Sequence, residues 1–63
     1  MDFILRIRID NAAFEENATG EVGDLLRLAA DIIEADGFGG PGVTTHLRDS
    51  NGNKVGGFAL VEG

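Results

Sequence analysis

His46, Asp49 and Ser50 supply the residue types of a hydrolytic triad, and Ser50 is the only serine in the chain. A triad needs a base within hydrogen-bond reach of its nucleophile. Alternation along a strand instead sends His46 and Asp49 to opposite faces and leaves Ser50 in a turn. Asp49, Asn51 and Asn53 occupy the first three alternate positions of a calcium loop, where hard oxygens take the ion. Lys54 stands where that loop needs glycine and Leu60 where it needs a bidentate glutamate, so an EF-hand is excluded. Gly37, Gly39 and Gly42 have G-x-G-x-x-G spacing, but a phosphate cradle needs a strand before it and a helix N-terminus after it. Here a helix precedes the glycines, and its negative C-terminal end, with Asp31, Glu34 and Asp36 nearby, repels phosphate. The segment reads as a linker or as a recognition loop exposing Phe38. Adjacent acids such as Glu15-Glu16 read as a solvated pair. No catalytic, metal-binding or cofactor-binding residue is expected, and the chain reads as non-enzymatic.

Arginine placement is more informative. In Phe3-Ile4-Leu5-Arg6-Ile7-Arg8-Ile9-Asp10, period two puts Phe3, Leu5, Ile7 and Ile9 on one side of a strand and Ile4, Arg6, Arg8 and Asp10 on the other. A second strand, Val43–Asp49, turns Thr44, His46 and Arg48 outward. Arg6, Arg8 and Arg48 therefore share one sheet face, where guanidinium groups could grip carboxylates or a nucleic-acid backbone. Arg6, Arg8, His46, Arg48 and Phe38 are the expected partner-binding residues.

Three elements must position them. Thr19 reads as a helix cap, with Glu21 and Asp24 suited to the positive end of the macrodipole. Steps of about 100° group Val22, Leu25, Leu26, Ala29, Ile32 and Ile33 on one face, with Asp24, Arg27, Asp31 and Glu34 opposite and Leu28 on the flank. Gly37 ends the helix. Asn51-Gly52 between two β-rich runs signals a hairpin, pairing Asp49 with Lys54, Leu47 with Gly56, Thr45 with Phe58 and Val43 with Leu60. That register puts Val55, Gly57 and Ala59 on the outer face, while Gly56-Gly57 marks a candidate bulge or close backbone approach. The order is β-α-β-β: an α+β fold in which one helix packs on one face of a three-stranded sheet with a C-terminal hairpin. The last strand, the more apolar of the hairpin, favours the central position and an antiparallel 1-3-2 order; the alternative is 1-2-3, with its first pair parallel.

Sixty-three residues allow a single domain, 1–63. Eleven acidic against five basic groups give −6, which opposes binding to phosphate backbones or anionic lipid. Nucleic acid is thus a less favoured partner than protein, and the lack of Tyr and Trp weakens base stacking further. No run approaches the roughly 20 apolar residues of a spanning helix, so the expectation is a cytoplasmic protein without membrane contact. So small a unit leaves apolar area that a two-fold copy could cover, making a homodimer a further expectation.

Asp10-Asn11-Ala12-Ala13-Phe14, the helix from Leu25 to Glu34, and Leu47-Arg48-Asp49-Ser50-Asn51-Gly52-Asn53-Lys54-Val55-Gly56 together cover most of the chain. They resemble short uncharacterised proteins of actinobacteria and their phages, in which a strand ending in Asp-Asn-Ala-Ala-Phe precedes a helix and a Leu-Arg-Asp-x-Asn-Gly-Asn-x-Val-Gly hairpin. The resemblance implies a source and no activity. The expected function is a small acidic interaction module, a phage or mobile-element accessory factor in the host cytoplasm, with a nucleic-acid-binding or regulatory module as the alternative.

Overall fold

Alternating side chains build the first strand, β1 (Asp2–Ile7), turning Phe3, Leu5 and Ile7 inward and Ile4 and Arg6 outward. The computed structural model describes residues 1–62. After β1, the Asn11 side chain accepts from the Ala13 N–H at 3.0 Å and caps a 3₁₀ turn, Ala12–Phe14, that buries Phe14. The helix α1 (Ala18–Asp36) is capped by Asn17, whose Oδ1 accepts from the Gly20 N–H at 3.2 Å. Thr19, the expected cap, lies inside the helix and donates its hydroxyl to that same Asn17 oxygen at 3.4 Å. Asn is the stronger capping residue. At the other end, Gly37 donates its N–H to the Ile33 carbonyl at 2.9 Å.

The strands β2 (Thr45–Arg48) and β3 (Lys54–Val61) complete an antiparallel sheet ordered β1-β3-β2. The most apolar hairpin strand is central, where it is flanked on both sides. Leu25 and Ala29 of α1 meet Leu47, Val55 and Phe58 of the sheet, with Phe14 closing the core. Leu47 and Phe58 are 0% and 1% exposed. Around them pack Leu5, Ile7, Val22, Ile32, Ile33 and Phe38. Leu26, expected on the core face, is exposed on the helix flank near Ile9.

The hairpin departs from unbroken alternation at one step. Thr45 faces Phe58 and Leu47 faces Gly56 as expected, but the register then slips so that Arg48 faces Lys54. Val55 is the extra residue of a β-bulge. It turns into the core instead of onto the outer face, and Lys54 moves outward beside Arg48. At Gly56 an added Cβ would collide with the Arg6 carbonyl oxygen, so the backbones of β1 and β3 approach there as only glycine permits. β2 is also shorter than expected. Pro41 bridges to Leu60, and the Gly42 N–H reaches the Leu60 carbonyl at 3.3 Å, taking the place expected for Val43 and leaving Val43 exposed.

Two glycine substitutions should shift stability in opposite directions. Gly56→Ala must push β1 from β3 and should cost about 1–3 kcal/mol. Gly23→Ala lies within α1, where a Cβ meets nothing closer than the Arg27 guanidinium at 3.5 Å, and should add about 0.5–1 kcal/mol. Urea unfolding midpoints read both, and equal shifts would contradict the close approach at Gly56.

Candidate functional site

Facing residues across the sheet place Arg6, Gly57 and His46 in one row and Ile4 and Ala59 in the next. The Arg8 N–H donates to the Val55 carbonyl at 2.7 Å, extending the β1–β3 ladder past the strand end and keeping Arg8 in phase with Arg6. Because Gly57 and Ala59 are small, the middle of this outer face is low. A shallow depression of about 270 Å³ runs between Ile4, Arg6, Thr44, Gly57, Ala59 and Val61. A second, of about 300 Å³, lies between Arg6, Arg8, Lys54, Val55 and Gly56.

Arg6, Arg8, His46 and Arg48 are all exposed, and strand phase brings them to this face. Lys54 joins them through the bulge, although it is missing from the sequence-based set. Gly56-Gly57 carried the signal for it, since a bulge beside them reverses the phase of the residues toward the turn. Four of the chain's five Lys and Arg residues thus share one face, leaving Arg27 on the helix. Among the described residues the sole ion pair is Arg27–Asp24, at 3.1 Å. The four outer cations have no carboxylate within pairing distance among those residues. Arg48 directs one guanidinium N–H to the Gly52 carbonyl at 3.0 Å, which fixes it near the hairpin tip.

Phe38 does not join this group. It is half-buried, with its ring centroid 5.6 Å from Phe3 at a 58° tilt, and Phe3 in turn lies 5.8 Å from Phe58. The expectation of an exposed recognition aromatic gives way to an aromatic cluster on the inner face of the sheet, because Phe3 and Phe58 offer Phe38 apolar contact.

Asp49 organises the hairpin that carries Arg48 and Lys54. It is buried, and its Oδ1 accepts from the Asn51 and Asn53 N–H groups, each at 2.9 Å. Its Oδ2 accepts from the Asn11 side-chain amide at 2.8 Å. The Gly52 N–H reaches the Asp49 carbonyl at 3.0 Å and the Asp49 N–H reaches the Asn53 carbonyl at 2.9 Å, closing a three-residue loop with Gly52 at φ 83°. This replaces the two-residue Asn51-Gly52 turn expected from the dipeptide. The triad residues are not brought together: Ser50 Oγ donates to Glu21 at 2.6 Å, Asp49 is held by asparagines, and His46 faces the other way. The carboxylate oxygens a cation would need already accept N–H groups. Among the described residues, no three His, Asp or Glu side chains converge as metal ligands, and no helix is long and apolar enough to cross a membrane. Compared with protein-family models, curated proteins and solved structures, the chain matches none.

Burial raises the Asp49 carboxyl, but bonds from the Asn53 N–H, the Asn11 side chain, the Asn51 N–H and the Asn53 side chain together hold it below its ordinary value. A carboxyl lowered in the folded state stabilises the fold above the unfolded value, about 3.9. That contribution is lost as pH falls through the lower folded value. Asp49→Asn keeps one acceptor oxygen but sets an amide donor against a neighbouring donor. It should lower stability at neutral pH and flatten the acid limb of a chemical-denaturation profile taken from pH 7 to pH 2; an unaltered acid limb would remove Asp49 from this role.

Proposed function

We propose that this chain is a small, non-enzymatic protein-interaction module that uses the outer face of its sheet to hold an acidic surface of a protein partner. The observation that carries the reading is the convergence of Arg6, Arg8, Arg48 and Lys54, with His46, on a face otherwise floored by glycine and alanine. Exposed guanidinium groups make directional, charge-assisted bonds to carboxylates. The low centre lets a partner's backbone approach while the cations grip from the sides. One acid, Asp2, stands at the far end of this face, at the start of β1, while Asp24, Asp31, Glu34 and Asp36 are exposed along α1. The resemblance of the hairpin to short actinobacterial and phage proteins bears on source alone; within this proposal it goes with a mobile element and the cytoplasm of its host.

The same cations could meet phosphates, so the test must separate the two partner classes. Arg8→Glu and Arg48→Glu combined, which leave the free edge of β1 unchanged, should abolish capture of a protein partner from the native host while the far-ultraviolet spectrum stays that of the wild type. Capture retained by the folded double variant would remove the outer face from the function. Titration with labelled DNA and RNA across a salt series should give no steeply salt-dependent binding; finding it would replace the protein partner by a nucleic acid.

A further inference from the structure

β1 is an unprotected edge. The strand order leaves one side of this six-residue strand without a neighbour, whereas the opposite edge, β2, has four residues and ends at the bulge step. Short, irregular edges resist pairing, and long regular ones invite it. The Arg8 N–H points to β3, so by alternation Arg6, Ile4 and Asp2 also bond inward while the N–H and C=O groups of Phe3, Leu5 and Ile7 point away from the sheet. Exposed apolar side chains gather on this strand and at the residue before it: Met1 is 65% exposed, Phe3 45% and Ile4 37%.

We propose that two copies of this chain pair through β1, antiparallel about a two-fold axis at Ile4, to form a continuous six-stranded sheet. Because the outward-pointing backbone groups belong to odd-numbered residues, odd residues must face odd ones. Of the registers this allows, the two centred nearest the middle of the strand, which pair the most residues, fall on Ile4 and on Leu5. Centred on Leu5, Arg6 stands opposite Ile4 of the second copy, and the two Arg6 side chains become diagonal neighbours about 7–8 Å apart, where like charges repel. Centred on Ile4, each Asp2 stands opposite Arg6 of the other copy, in a non-hydrogen-bonded pair where side chains are closest. The two Ile4 side chains meet between these ion pairs, Phe3 packs against Leu5 of the second copy, and Met1 against Ile7. This register pairs opposite charges, separates like ones and covers the exposed apolar residues of the strand. Both helices then lie on one side of the sheet and both sets of outer cations on the other, with Arg8, Arg48, Lys54 and His46 remaining open.

The chain has no cysteine, so a single introduced thiol reports the contact. Light scattering should give twice the 6.6 kDa chain mass. Ile4→Cys, whose two copies would stand about 4.5 Å apart between Cα atoms, should oxidise to a covalent dimer at least roughly tenfold faster than Glu34→Cys on the exposed helix, since pairing raises the effective thiol concentration. Leu5→Cys should cross-link slowly. Asp2→Arg or Arg6→Asp alone should give monomer by opposing like charges, and the double variant should restore the dimer. Monomeric wild type, equal oxidation rates at positions 4 and 34, faster cross-linking at position 5, or no recovery in the charge-swapped double variant would each overturn the proposed pairing.

Discussion

A carboxylate taken out of water must be given donors, and in this fold that requirement falls on Asp49, the charged side chain buried among the described residues. Its two oxygens draw together three asparagines from separate places: Asn11 after β1, and Asn51 and Asn53 in the hairpin. One side chain therefore ties the first connection to the last loop across 38 residues of sequence. The adjacent Ser50–Glu21 bond fastens the same loop to the start of α1. With the loop anchored at these points, the hairpin has little freedom to slide, and the register of β2 and β3 is set from its tip. The buried carboxylate thus determines which side chains of the hairpin reach the outer face.

The fold was legible where a local pattern and the tertiary environment agree. Alternation in β1, the 3.6-residue period of α1 and the β-rich arms of the hairpin each predict the element observed, and the apolar character of β3 predicts its central place. Features decided by competition between neighbours were less legible. Asn51-Gly52 alone favours a two-residue turn, yet the Asp49 side chain captures two N–H groups of that loop and stabilises a three-residue one. Thr19 is a competent cap, but Asn17 reaches the same helix end first. Val43 belongs by composition to a strand, yet Pro41 and Gly42 occupy the bonding positions beside Leu60.

The bulge links these packing details to the candidate face. Without an extra residue, Val55 would stand among the cations and Lys54 would turn toward the helix side. With it, Val55 joins Leu47 and Phe58 in the core, and Lys54 faces outward opposite Arg48. The apolar residue gains burial and the charged one avoids it, so the hydrophobic core and the basic face are improved by the same backbone irregularity. Gly56 makes this arrangement sterically feasible, because the β1 backbone lies where its side chain would be. The four exposed basic groups of the outer face were therefore only partly visible in the spacing of Arg6, Arg8 and Arg48. The fourth depended on a change of phase that no single residue encodes.

Net charge and local charge act at different distances on this molecule. The screening length at physiological salt is about 8 Å, and the shortest extent of the molecule is 17 Å, roughly two screening lengths. A ligand touching the outer face thus feels Arg6, Arg8 and Lys54 strongly and the acids across the molecule weakly. A long polyanion extends beyond that face into the field of a chain carrying −6, where repulsion offsets the contact gain. A compact acidic patch on a folded partner ends where the cations end. That difference in reach, more than the number of arginines, favours a protein surface over a nucleic-acid backbone as the matching shape of charge.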